Sequence, residues 1–221
     1  MAFKAIIFDL DGTLLDSLPG IAGAMNRLLE ESAFPIHSLE EYRYLVGWGI
    51  RELICRALPA EVADKGDLDD WAVKFRRLYD RFWPDQSPPY PGIAGMLDHL
   101  AARGIKMAIL SNKSEEYTRI MVEKLLPTWH FEAVRGERPG VPHKPDPCAA
   151  LEIVQEMKVP REDFLFLGDT GVDMETARDA GIFALGALWG FRGADELLRC
   201  GAQRLIAHPL DLIPIIDHSP I

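Results

Sequence analysis

Residues 5–12 of the chain read AIIFDLDG, so four apolar residues stand directly before two carboxylates spaced two residues apart. Such a short apolar run is typical of a strand buried in a parallel sheet. MAIL at 107–110 is followed by Ser111, and FLFL at 164–167 leads through one glycine to Asp169. These runs predict three buried strands, each with polar residues where it ends.

Helical spacing fills the intervals between these strands. Apolar residues recur three and four positions apart after Gly92, and again after Ser114, which is a candidate N-cap. Asp146-Pro147 predicts a further helix start, with Asp146 as N-cap and proline at the first helical position. Two weaker strand candidates lie at 183–188 and 204–206. This alternation predicts an α/β fold, a doubly wound parallel sheet covered by helices on both faces.

The segment 17–84 breaks the alternation because it contains helical patterns and no convincing strand. Residues 38–41 match a capping box, and residues 71–82 carry apolar side chains at helical spacing. Asp16 and Ser17 are candidates to cap the first helix of this segment. The predicted domains are a core at 1–16 and 85–221, and a small helical domain at 17–84.

The overall composition excludes several classes of partner. The formal charge of -10 repels nucleic acid and anionic membranes. No apolar run approaches the roughly 20 residues that a membrane helix requires. Three widely spaced cysteines fit neither a disulfide framework nor a zinc site. The apolar start at residues 1–6 is too short for a signal peptide, so we expect a cytoplasmic protein.

Polar residues follow the predicted strands at the edge where a doubly wound sheet binds its ligands. Six of them, distant in sequence, are expected to converge there: Asp9, Asp11, Ser111, Lys144, Asp169 and Asp173. Two like charges repel by about 4 kcal/mol at 4 Å and an effective dielectric of 20, so four carboxylates require a cation. Lys144 can neutralise one charge. A hard divalent ion suits the rest, and Mg²⁺ is the usual choice beside a phosphate.

These residues suit phosphoryl transfer. With Mg²⁺ screening the charges, Asp9 can attack phosphorus and form an aspartyl-phosphate. Asp11 can protonate the leaving oxygen and later activate water. Ser111 offers a hydroxyl and a backbone N–H to the phosphate oxygens, and Lys144 adds a point charge. The expected partner is a small phosphorylated metabolite.

Four further residues are candidates to contact the substrate. The amide of Asn112 either binds the phosphate or leaving group or satisfies the backbone at the strand end. Thr13 is a substrate contact or a turn hydroxyl. Gly47 lies either in a loop with unusual backbone angles or in a substrate-binding turn. Trp48, which follows it, favours substrate contact.

Four segments, in order along the chain, resemble the motifs of the haloacid dehalogenase superfamily. Residues 9–17, DLDGTLLDS, resemble the first motif and residues 111–113, SNK, the second. Residues 144–147, KPDP, resemble the third, and residues 168–173, GDTGVD, the fourth. The resemblance spans Phe3 to about Gly190.

The resemblance implies a Rossmann-like core with Asp9 as nucleophile and Asp11 as acid and base. It places Mg²⁺ on Asp9, the Asp11 carbonyl and Asp169, with Asp173 as a neighbouring ligand. The segment 17–84 resembles the superfamily's small helical cap, which selects substrates. Within the superfamily, the pattern is most similar to phosphoglycolate phosphatases, which act on small phosphomonoesters.

Several alternatives remain. A dehalogenase has no use for a leaving-group acid, so Asp11 argues against it. A phosphoglucomutase or a phosphonate hydrolase keeps the same core and stays open. A receiver domain, which is a switch and not an enzyme, also holds a phospho-aspartate but lacks a helical insert of this size. The sequence leaves open the physiological substrate and whether the protein is a monomer or a homodimer.

Overall fold

The computed structural model describes residues 3–64 and 66–217. The chain divides into two compact units, unit 1 at Met1–Leu15 and Pro89–Ile221, and unit 2 at Asp16–Pro88. Residues 1 and 2, at the start of the N-terminal segment considered for a signal peptide, lie outside the described residues. Among the described residues, no helix has the length and apolar character needed to cross a membrane.

Unit 1 contains a six-stranded parallel sheet. Its strands are β1 Ala5–Phe8, β2 Lys106–Ser114, β3 Ala133–Glu137, β4 Phe164–Gly168, β5 Phe183–Ala187 and β6 Arg204–Ile206. Their order across the sheet is β3-β2-β1-β4-β5-β6. The chain therefore adds β2 and β3 on one side of β1, and then β4, β5 and β6 on the other side. The predicted doubly wound α/β fold is confirmed.

Unit 2 consists of helices joined by loops in its described residues. Its helices are α1 Leu18–Glu31, α2 Leu39–Leu45, α3 Ile50–Ala57, α4 Ala60–Ala63 and α5 Leu68–Phe82. The predicted capping box is present, since the Ser38 N–H donates to Glu41 at 2.7 Å and the Glu41 N–H donates to the Ser38 hydroxyl at 3.3 Å. On α5, Phe75 is buried and its ring stacks on that of Tyr79 with centroids 5.4 Å apart.

Helices cover both faces of the unit 1 sheet. They are α6 Ile93–Ala102, α7 Glu115–Leu125, α8 Cys148–Met157, α9 Gly171–Ala180, α10 Ala194–Arg199 and α11 Leu212–Asp217. Side chains of α8 and α9 pack with Ala5 and Ile7 on one face of β1. Ile6 and Phe8 point to the opposite face and are also completely buried. The central strands are therefore apolar on both sides, as their sequences predict.

Two predicted helix caps differ from the structure, and a third has the predicted position without a capping bond. Ser17 precedes α1 but makes no side-chain capping bond, because its φ of -90° and ψ of -5° are helical and not the extended angles of a capping residue. Ser114 occupies the N-cap position of α7, also without a capping bond. Pro147, not Asp146, is the N-cap of α8, although the Asp146 carboxylate does accept the Cys148 N–H at 2.9 Å.

The edge strand β3 was missed by the sequence analysis. Its residues AVRGE are less apolar than those of the central strands, because the outer edge of the sheet admits charged side chains. Arg135 pairs there with Glu156. Gly136 lies so close to the end of β2 that an added Cβ would be 2.5 Å from both the Lys113 carbonyl oxygen and the Glu115 Cα. The strand thus depends on a glycine, a residue type that is depleted in strands and so gives no strand signal.

We predict that Gly136→Ala destabilises the protein by about 1–3 kcal/mol, because the new methyl group meets backbone that cannot rotate away. Urea denaturation followed by circular dichroism measures this change. Gly193→Ala is the matched control, since no atom lies within 4 Å of its added Cβ. Equal unfolding midpoints for the two variants would contradict this account of β3.

Candidate active site

The polar residues predicted at the strand ends lie at the carboxyl edge of the unit 1 sheet. Asp9 follows β1, Ser111 lies within β2, and Asp169 follows β4. Because β1 pairs with both β2 and β4, these three positions are neighbours. Lys144 precedes α8 and Asp173 lies in the first turn of α9. The strand order therefore brings together residues that are distant in sequence.

The ammonium group of Lys144 links two of the carboxylates. Its Nζ lies 2.7 Å from Asp9 Oδ1 and 2.6 Å from Asp173 Oδ1. The Lys144 side chain is 4% exposed, so both ion pairs are shielded from solvent. Burial lowers the pKa of Lys144, but the carboxylates of Asp173 and Asp9 outweigh burial and raise this pKa above its ordinary value. Lys144 is therefore a permanent positive charge in the site.

Three buried carboxylates form a group in which each offers an oxygen within 4.8 Å of the others: Asp9, Asp169 and Asp173. Burial raises the pKa of Asp9 well above its ordinary value, and Lys144 only partly offsets this effect. Burial and the neighbouring charge of Asp173 raise the pKa of Asp169 to about 7. With Lys144 as the positive charge beside them, burial thus still disfavours the ionised forms of Asp9 and Asp169.

A divalent cation with oxygen ligands fits this group. Carboxylate oxygens are hard ligands, which favour ions such as Mg²⁺ over ions that prefer sulfur or imidazole. A cation among the three carboxylates stabilises their ionised forms and so opposes the raised pKa of Asp169. Asp173 has a second task, because its Oδ2 accepts the Thr170 hydroxyl at 2.7 Å while its Oδ1 binds Lys144. It orients the lysine as well as adding charge.

The carboxylate of Asp169 is enclosed on several sides. Its Oδ1 accepts the Thr13 hydroxyl at 2.9 Å and its Oδ2 accepts the Phe191 N–H at 2.7 Å. A Cβ added at Gly12 or at Gly190 would lie 2.3 Å from an atom of the Asp169 side chain. Thr13 was a candidate substrate contact, but it is completely buried and donates to Asp169 instead. Its hydroxyl positions a carboxylate of the cluster.

The loop after β5 supports the same region through hydrogen bonds that the sequence does not reveal. The indole N–H of Trp189 donates to the Thr13 carbonyl at 2.9 Å. Further along, Arg192 lies 3.3 Å from Glu196, whose carboxylate accepts the Gly171 N–H at 3.1 Å at the start of α9. The loop thus supports both Thr13 and the helix that carries Asp173.

The second motif supplies one buried hydroxyl and one amide with a defined partner. Ser111 is 4% exposed, and its Oγ accepts the Lys113 N–H at 3.1 Å. The Asn112 amide donates to the Lys144 carbonyl at 3.0 Å and accepts the Lys144 N–H at 2.9 Å. Of the two roles considered for Asn112, the structure shows the backbone contact, and it ties β2 to the loop that carries Lys144.

Asp11 has a partner that the sequence analysis quoted but gave no role. Lys113 Nζ lies 3.0 Å from Asp11 Oδ2, and the two side chains are 12% and 18% exposed respectively. The Asp11 carboxylate is not a member of the three-carboxylate group found among the described residues. The structure therefore separates a buried carboxylate group around Lys144 from a less buried Asp11–Lys113 pair.

The remaining candidates, Gly47 and Trp48, lie in unit 2 between α2 and α3. Gly47 has a φ of 112° and Gly49 a φ of 87°, values that favour glycine. Trp48 is 40% exposed, and the Arg56 guanidinium lies 5.7 Å from the centre of its ring. The loop needs its glycines for backbone reasons, and substrate contact by Gly47 or Trp48 stays a prediction.

Comparisons with known proteins agree with this geometry. The model of the haloacid dehalogenase-like hydrolase family matches residues 6–187. A phosphoglycolate phosphatase from Pseudomonas putida is 33% identical over 85% of this chain and 70% of its own length. One from Aquifex aeolicus is 28% identical over 97% of each chain. A haloacid dehalogenase-like family hydrolase from Streptococcus pneumoniae superposes with a TM-score of 0.85 and 25% identity, over 96% of this chain and 98% of its own.

The family match spans the structural elements that carry the site. It begins within β1, which leads to Asp9, and ends with β5, beyond Asp169. The chain therefore belongs to the haloacid dehalogenase-like hydrolase family and is an enzyme of its phosphatase type.

Proposed function

We propose that the protein is a Mg²⁺-dependent phosphatase that hydrolyses a small phosphomonoester, of the phosphoglycolate type, through an aspartyl-phosphate on Asp9. The observation that carries the proposal is the contact of Lys144 Nζ with Asp9 at 2.7 Å, beside the carboxylates of Asp169 and Asp173. A carboxylate that attacks a phosphate needs positive charge beside itself and beside the phosphoryl oxygens, because both groups are anionic. Lys144 supplies a fixed part of it.

Asp9 is the nucleophile in this proposal. It follows the central strand, and Lys144 engages its Oδ1. The opposite oxygen is then the atom that attacks phosphorus. Ser111 on the neighbouring strand and Lys144 bind the phosphoryl oxygens as negative charge develops on them. Mg²⁺ would be held by Asp9, the Asp11 carbonyl and Asp169, with Asp173 close by, and it would lower the repulsion between the carboxylates and the phosphate.

Asp11 is the acid and base. It stands two residues beyond the nucleophile and outside the buried carboxylate group. Its greater exposure, at 18%, suits a group that must reach a leaving oxygen and then a water molecule. Two carboxylates with different surroundings thus take two different roles.

Unit 2 and the relatives support the narrower part of the proposal. Several relatives are named phosphoglycolate phosphatases. By its resemblance to the superfamily's helical cap, unit 2 selects the substrate, with Gly47 and Trp48 as contacts. A cytoplasmic location and a metabolite substrate complete the proposal. A monomer and a homodimer are both compatible with it.

We predict that Asp9→Asn lowers kcat by at least about 10³-fold, because the amide is a poor nucleophile. Turnover of p-nitrophenyl phosphate with saturating Mg²⁺ is the measurement. Circular dichroism and thermal unfolding serve as controls for the fold. Asp98→Asn, a substitution on the surface of α6, controls for loss of a carboxylate elsewhere. An Asp9→Asn enzyme that keeps wild-type turnover would exclude Asp9 as the nucleophile.

A second prediction concerns stability and pH. Because the folded state raises the pKa of Asp169 to about 7, it holds a proton that the unfolded chain, with an ordinary value near 4, has released. In EDTA, the wild type therefore loses stability as the pH rises from about 4 to 7, because only the unfolded chain releases the Asp169 proton over most of this range. Asp169→Asn should gain stability relative to the wild type over this range.

Mg²⁺ should make the wild type more stable than Asp169→Asn. A bound cation stabilises the folded wild type, whereas the variant has lost one of the cation's ligands. Thermal unfolding of both proteins across this pH range, with EDTA and with Mg²⁺, makes the comparison. A difference between them that does not change with pH or Mg²⁺ would contradict the proposed cation site.

A further inference from the structure

A ring of hydrogen bonds, closed by a short piece of main chain, surrounds the carboxylate of Asp169. Thr13 donates its hydroxyl to Oδ1 at 2.9 Å, and the Phe191 N–H donates to Oδ2 at 2.7 Å. Trp189, two residues before Phe191, donates its indole N–H to the Thr13 carbonyl at 2.9 Å. The ring therefore runs from the indole to Thr13, across the carboxylate to Phe191, and back along the main chain. A single indole thus joins the two groups that hold both oxygens of one carboxylate.

The ring has little freedom to move. Thr13 and Asp169 are completely buried, and Trp189 is half-buried. Cβ atoms added at Gly12 or Gly190 would overlap atoms of the Asp169 side chain, so main chain packs directly against the carboxylate on two sides. Threonine is branched at Cβ, which restricts its χ1 angle, so the position of the Thr13 hydroxyl follows that of its main chain. A shift of the Thr13 carbonyl would therefore move the hydroxyl that holds Oδ1.

Hydrogen bonds of this kind determine how a carboxylate presents its oxygens to a cation. Each carboxylate oxygen has two lone pairs, and the described bonds of Asp169 use one on each oxygen. The ring is therefore compatible with a cation shared with Asp9 and Asp173, whose oxygens lie within 4.8 Å. Partners that orient a ligand in this way are commonly worth about 10- to 100-fold in metal affinity.

We propose that Trp189 is a positioning residue for the divalent cation, because its indole N–H holds Thr13 and so fixes Asp169 as a ligand. The inference rests on the proposed function in one respect, that Asp169 binds the cation. The indole acts at a distance, through one main-chain carbonyl and one hydroxyl. Its loss removes no cation ligand and no group proposed to bind the phosphoester. The expected effect therefore falls on cation affinity and not on binding of the phosphoester.

The test measures Mg²⁺ binding by calorimetry in the absence of substrate. Trp189→Phe removes the N–H and keeps an aromatic ring, and it should raise the Mg²⁺ Kd by about 3- to 10-fold, as expected for one lost hydrogen bond. Thr13→Val removes the hydroxyl and should raise the Kd by about 10- to 100-fold. Thr13→Ser keeps the hydroxyl and should stay closer to the wild type. Trp129→Phe is the matched control, because the half-buried Trp129 also donates its indole N–H, at 2.8 Å to Asp98 on α6.

A double variant, Thr13→Val with Trp189→Phe, tests whether the two residues act by one route. Either substitution breaks the ring, so the double variant should bind Mg²⁺ nearly as well as Thr13→Val alone. Kinetics give a second readout. The Mg²⁺ concentration for half-maximal turnover should rise in Trp189→Phe, whereas KM for the phosphoester at saturating Mg²⁺ should stay that of the wild type.

A Trp189→Phe variant with the wild-type Mg²⁺ Kd would overturn the proposal, and so would two effects on Kd that simply multiply in the double variant. Thermal unfolding identifies an indole that only stabilises the fold. Such an indole would lower the unfolding midpoint of Trp189→Phe in EDTA but leave the increase produced by Mg²⁺ unchanged, which would also overturn the proposal. A wild-type enzyme that binds no Mg²⁺ would defeat the proposed function together with this inference. The two failures are distinguishable, because only the first leaves a wild type that binds the metal.

Discussion

The site depends on one buried electrostatic contact, the ammonium group of Lys144 held between Asp9 and Asp173. A charged lysine inside a protein is costly unless it is paired, and two carboxylates buried together are costly unless they are neutralised. Here the lysine partly neutralises the two carboxylates, and the carboxylates stabilise the charge of the buried lysine. Asp169 adds a third buried carboxylate to these two, and burial with the neighbouring charge of Asp173 raises its pKa to about 7. Three carboxylates against one lysine are the physical reason to expect a divalent cation.

Backbone geometry maintains that contact. The strand order places the ends of β1, β2 and β4 side by side, so the residues of the first, second and fourth motifs are neighbours. Asn112 then fixes the main chain of Lys144 with two hydrogen bonds. On the other side, the loop after β5 holds Asp169 through the Phe191 N–H and holds Thr13 through Trp189. The glycines at positions 12 and 190 allow this backbone to approach the Asp169 carboxylate closely.

The sequence predicted the central strands because they are buried on both faces and are therefore continuously apolar. It missed β3, whose edge position admits charged residues and whose glycine serves a close contact. Polar residues at the ends of predicted strands identified Asp9, Ser111 and Asp169, since topology alone brings such ends together. Contacts that depend on loop geometry were out of reach. The Thr13 hydroxyl, the Phe191 N–H and the Lys113 ion pair have no periodic signal, and caps such as Ser17 failed because backbone angles are not readable from residue type.

The central claim is that Asp9 becomes phosphorylated during turnover when Mg²⁺ is present. The most direct measurement is rapid acid quenching of the enzyme with an excess of ³²P-labelled substrate, followed by peptide mapping of the acid-stable label. The account predicts label on the peptide that contains Asp9, which is lost in EDTA and in Asp9→Asn. Steady turnover with no labelled protein at any quench time, or label on a peptide that excludes Asp9, would contradict it.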